Sequence, residues 1–216
     1  MALEMNGWTG RLLSVCEWIT RLCLLQLGWI LLSLLGLGIF GLFPATGAVF
    51  AVWRQWQLRP DVPVVRTMWE VYRRDWLRYN GWGLAWSAAA LALVLDMRLL
   101  ALAADTPWYY LFTGIWWVVS AVVLMSFLFF FPMAVHWNWK WHQHLLFPLL
   151  AVLDHPWLGW LALGMVGLTA TLYLIVPALG IFCGVSLPAY GLMKSLLPRF
   201  QEWKEEKEGK RGQEAA

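Results

Sequence analysis

The sequence has little charge. Asp, Glu, Lys and Arg make up 13% of its 216 residues, against about 25% in an ordinary soluble domain. That deficit excludes a disordered chain, a nucleic-acid-binding arm and a soluble enzyme with a normal surface. Cysteine is scarce too. Cys16, Cys23 and Cys183 lie in apolar surroundings. Their odd count and lack of spacing pattern argue against a disulfide framework or a zinc site, so they are read as reduced core residues. Glu4 stands where the basic start of a secretion signal belongs, and no cleavable signal peptide is expected. There is no glycine-rich phosphate loop, no nucleophile–base pair and no paired carboxylates at chemical spacing. The expectation is a chain that is not an enzyme, with no cofactor and no nucleic-acid partner.

What is abundant is apolar and aromatic. The hydrophobic share is 61%, and 18 Trp outnumber the 16 Lys and Arg together. Such a chain belongs in a lipid bilayer. No Asp, Glu, Lys or Arg occurs from Leu22 to Trp53, Tyr79 to Leu95, Thr106 to Trp139 or Pro156 to Met193. A spanning helix needs about 20 residues. The last run has 38 residues, about 57 Å as one straight helix, so it is divided near Pro177, Gly180 and Gly184. Pro44 is expected to end the first helix. The predicted spans are about 20–43, 81–102, 108–131, 157–176 and 178–197. Together they form an all-α integral membrane bundle of five transmembrane helices in one domain, 1–200. A connector at 44–80 and a charged tail at 201–216 complete it.

Positive residues favour the cytoplasmic side. Five spans put Arg54, Arg59, Arg66, Arg73, Arg74, Arg78, Lys140 and the basic tail on one face. Arg11, Arg21 and Arg98 fall on the other. The expected setting is a bacterial cytoplasmic membrane, with the N-terminus outside and the C-terminus inside. Trp108, Tyr109 and Tyr110 before span three, and Trp137, Trp139 and Trp141 after it, suit the headgroup layers.

In the connector, Val65, Met68, Tyr72, Trp76 and Tyr79 recur at helical steps. Asp61 is placed to cap that helix, and Glu70 to pair with Arg74. The product is a cytoplasmic amphipathic helix with Met68, Trp69, Tyr72, Arg73, Arg74 and Trp76 as its candidate surface. It would lie along an anionic membrane or dock on a partner.

The block Gly41-Leu42-Phe43-Pro44-Ala45-Thr46-Gly47-Ala48-Val49-Phe50-Ala51-Val52, followed by Arg54 and Trp56, resembles the signature of the YesL family, also called DUF624. Val62-Pro63, Trp69, Tyr72, Trp76 and Asn80-Gly81 resemble that family's connector. The resemblance covers about residues 20–83. It implies a multi-pass bacterial membrane protein encoded beside carbohydrate uptake transporters and sensor kinases. The implied function is an accessory role in carbohydrate uptake or its sensing, with sugar ABC transporter subunits or a sensor kinase as partners. Gly41, Pro44, Ala45, Thr46, Gly47, Ala48, Ala51 and Arg54 form a candidate helix–break–helix corner, for packing or for docking.

Two further features carry weaker signals. His136, His142 and His144 have no Cys or carboxylate among them, and a metal site needs three or four convergent ligands, so they are read as interfacial histidines beside headgroups. Asp96 is a candidate intramembrane charge, toward the outer end of span two. A small-solute transporter or channel is the alternative function. Its polar path would have to come from Gln26, Ser33, Ser87, Thr113, Ser120, Ser126, Thr169 and Thr171 besides Asp96.

Overall fold

A computed structural model describes residues 8–59, 61–137 and 141–196, with Thr9 as backbone only. Trp139, Lys140, the basic residues of the tail and the end of the fifth predicted span at 197 lie outside these. The described elements are α1 (Trp8–Leu35), α2 (Ile39–Leu58), α3 (Val64–Ala101), α4 (Tyr109–His136), α5 (Gln143–Asp154), α6 (Pro156–Ile175), α7 (Pro177–Cys183) and α8 (Ser186–Leu196). No strand occurs among the described residues. Four helices, α1, α3, α4 and α6, are long and apolar enough to cross a membrane, and α7 with α8, bent by 70°, makes a fifth. The protein is an all-α membrane bundle.

The expected break at Pro44 lies upstream instead, between α1 and α2. Gly38 donates to the Ser33 carbonyl at 2.9 Å and Leu37 to the Leu34 carbonyl at 3.0 Å. Leu37 and Gly38 have φ of 58° and 77°. This is a Schellman ending, in which a left-handed residue closes the helix. Pro44 sits inside α2, one turn and a half from its start, so few helical bonds precede it.

α2 then retraces α1. The Trp29 indole donates to Thr46 Oγ1 at 3.0 Å, and Thr46 donates to the Leu42 carbonyl at 2.7 Å. Farther along, Arg21 stacks over Trp56 at 5.2 Å. The hairpin therefore brings the first half of α1 to the same end as the α2–α3 turn. Trp18 also meets Tyr190 of α8 at 5.5 Å. A single span before the connector would have put the N-terminal end opposite; a returning α2 does not. Enclosed by its neighbours, α2 supplies the centre of the core, with Ala45, Ala48, Val49 and Val52 fully buried.

The connector helix is not separate from span two. Residues 64–80 contain no proline or glycine, so nothing stops the helix, and α3 continues through a kink at Asp75 (φ −110°, ψ 15°). Pro63 occupies the N-cap and no side chain caps it, so Asp61 does not have the expected role. Glu70 pairs with Arg66 at 2.8 Å rather than with Arg74. Glu17 and Arg21 of α1 pair across one turn, at 2.8 Å. Met68, Tyr72 and Tyr79 are buried against the bundle, whereas Val65 is exposed and Trp76 half-buried. Three of the five residues of this apolar face are thus covered by protein.

Helix α5 has no counterpart among the predicted elements. Its buried residues, His144, Pro148, Ala151 and Val152, follow helical spacing, but histidine and proline disguise the stripe. Between α7 and α8 the chain breaks at Gly184. There the Val185 N–H donates to Gln26 Oε1 at 2.9 Å, and the Tyr173 hydroxyl donates to the Cys183 carbonyl at 2.9 Å. Side chains thus take up the backbone groups that the break frees.

Candidate functional site

Four helices converge on one concave site at the end of α2. Arg54 comes from α2 itself. On α3, Val71, Arg74, Asp75, Arg78, Tyr79 and Trp82 follow at steps of three and four residues, which share one helical face. The last turn of α4 adds Val135 and His136, and α5 adds His144. The cavity has a volume of about 840 Å³.

Its charges are held in place by short contacts. Arg54 Nη1 donates to the Val135 carbonyl, one of the last carbonyls of α4, which no helical amide can reach. A cation there also meets the negative end of the helix dipole. Asp75 is buried at the kink and takes two bonds on Oδ2 from Arg74, at 3.0 Å and 2.8 Å. Arg78 lies 3.6 Å from its other oxygen and stacks over Trp82 at 5.4 Å. Trp82 packs on His144 with ring centroids 4.4 Å apart and donates to the Trp141 carbonyl at 3.2 Å. The site is a basic concavity with an aromatic wall, suited chemically to an anion.

Of the residues singled out from the sequence, Arg54 and Arg74 enter this site, and Ala51, Tyr79, His136 and His144 line it. The rest of the Pro44 block lies in the core. Gly41, Pro44, Ala45, Gly47 and Ala48 are buried and Thr46 is half-buried. A Cβ on Gly47 would strike the Tyr79 ring, and one on Gly41 would strike the α1 backbone at Ser33. These residues pack helices and offer no surface for docking. On α3, Met68 and Tyr72 are buried, Trp69 and Arg73 exposed, Trp76 half-buried. Asp96 is exposed near the far end of α3, away from the site. Among the described residues, no three His, Cys, Asp or Glu side chains are grouped as metal ligands. Asp75 and Arg78 were not singled out, since their value depends on neighbours from other helices. The spacing from Val71 to Trp82 was the available signal.

Comparison with known proteins agrees with the block at residues 41–56. The family described as "Protein of unknown function, DUF624" matches residues 22–97. YteU of Bacillus subtilis (strain 168) is 36% identical over 199 residues, covering 89% of this chain and 86% of YteU. The chain belongs to the DUF624 family. Two further DUF624-like relatives from the same organism are YesL, 31% identical over 78% of this chain and 73% of YesL, and YesV, 30% identical over 90% and 93%. All three bear the description "uncharacterized". No solved structure matches the chain.

Proposed function

We propose that this DUF624 protein is a non-enzymatic accessory protein of the bacterial cytoplasmic membrane, associated with carbohydrate uptake or its sensing. It acts through its basic end, which faces the cytoplasm and holds the start of α1 and the end of α8. The family resemblance supports the carbohydrate setting, and the gathering of Arg21, Arg54, Arg74 and Arg78 at one end supports the orientation.

One observation carries the choice over a transporter. Of the polar side chains in the spans, three are used by their own helices, and the buried hydroxyls of Ser33, Thr113 and Ser120 meet no hydrogen-bond partner among the described residues that would continue a polar path. Ser126 bonds to the Val122 carbonyl, Thr169 to Met165 and Val166, and Thr171 to Gly167. Gln26 is spent on the broken helix, the one feature of transporter type. A solute path needs such groups turned toward a lumen.

A partner would meet the outer ridge of α3, where Trp69, Arg73 and Leu77 are exposed. Affinity isolation from native membranes tests this. Recovery of a sugar ABC transporter subunit or a sensor kinase, lost on Trp69→Ala with Arg73→Ala, is the expected result. Isolation of the protein alone, with solute flux in liposomes, would replace it with the transporter.

A further inference from the structure

The site at the end of α2 holds more positive charge than it neutralises. Arg54, Arg74 and Arg78 line it with a single carboxylate, Asp75. Asp75 is shared by Arg74 and Arg78. Arg54 is half-buried, donates to the Val135 carbonyl and has no ion pair among the described residues. A guanidinium carries five N–H donors in a planar fork. Arg54 therefore keeps donors for a ligand in a cavity of about 840 Å³. A partly desolvated cation without a counter-ion is costly, and an anion offsets that cost.

Charge and size select the anion. Three guanidiniums against one carboxylate leave a formal surplus of two positive charges. A carboxylate would neutralise half of it. A phosphomonoester carries about −1.5 to −2 at neutral pH, with three strong acceptor oxygens. The volume falls within the range of about 300–1,000 Å³ for small-molecule sites, far more than a bare phosphate needs. We propose that the pocket binds the phosphate group of a phosphomonoester, with Arg54 and its two neighbours on α3 around the oxygens. Tyr79 and Trp82 face the body of the ligand. The group is presented either by a soluble phosphomonoester or by a lipid such as phosphatidic acid. The assignment rests on these side chains and holds whether or not the protein serves carbohydrate uptake.

The test uses the full chain in phosphatidylcholine nanodiscs, titrated calorimetrically with phenyl phosphate and, as a control, phenol. Phenyl phosphate binds and phenol does not. Arg54→Gln and Arg74→Gln each weaken binding about tenfold or more, the loss of one charge-assisted contact. If Arg54→Gln fails to fold, Arg74→Gln still decides, because its side chain is 74% exposed. A second set of nanodiscs contains phosphatidic acid. If the lipid is the ligand, those discs raise the melting temperature and abolish phenyl phosphate binding. If the ligand is soluble, phenyl phosphate binds equally in both sets. The proposal is overturned if phenyl phosphate does not bind in phosphatidylcholine and phosphatidic acid gives no stabilisation. It is overturned equally if binding survives both arginine substitutions unchanged.

Discussion

At Leu37 a bulky residue holds a backbone conformation that favours glycine, with φ 58°. The left-handed form costs an L-residue roughly 1–2 kcal/mol, and the side chain is 87% exposed, so it returns little packing. Leu37→Gly relieves that cost against some added chain entropy. A net stabilisation of about 0.5–1 kcal/mol is expected, read as a higher melting temperature in detergent. Gly41 is the opposite case. A Cβ there would lie 2.7 Å from the Ser33 Cα, and backbone cannot move aside as a side chain does. Gly41→Ala should destabilise by about 3 kcal/mol or more, seen as lost expression or a collapsed melting transition. The glycine is visible in the sequence; its reason is not, because the residue that forbids a side chain belongs to the preceding helix. The same holds for the site. Arg54 and Arg74 stand out in sequence as members of two separate groups. Only the return of α2 and the kink at Asp75 put them around one cavity with Arg78.

The helices show what local pattern can and cannot reveal. Charge-free runs locate the lipid-facing elements well. Span four, expected at about 157–176, is α6 at Pro156–Ile175. The same ruler does not separate α2 from α1, because a helix enclosed by protein is apolar all round and no charge marks the turn between the two. It therefore merges the end of α1 with the start of α2 and places the break at the proline. The stretch 61–80 reads as amphipathic and is so, but periodicity does not say whether protein or lipid covers the apolar face. The broken helix α7–α8 gives a prediction at this scale. Gln26→Leu removes the acceptor of the Val185 amide and leaves a half-buried donor unmet. That costs about 1–3 kcal/mol and should speed hydrogen exchange around residues 183–187 more than elsewhere.

Over the whole molecule, polarity is distributed unevenly. One end gathers Arg21, Arg54, Arg74, Asp75 and Arg78, and the far ends of α3 and α4 carry little beyond Asp96, Arg98 and Asp105. With α2 returning beside α1, the positive residues of α1 join those of the connector, and the charge asymmetry across the membrane becomes sharper than five simple spans give. The most direct measurement is labelling of single cysteines in intact cells with a membrane-impermeant maleimide, in a background without Cys16, Cys23 and Cys183. Trp8→Cys reports the start of α1 and Ala104→Cys the α3–α4 turn, both at exposed positions. A cytoplasmic basic end predicts labelling at residue 104 in intact cells, and at residue 8 only after permeabilisation. Labelling at residue 8 in intact cells would contradict it.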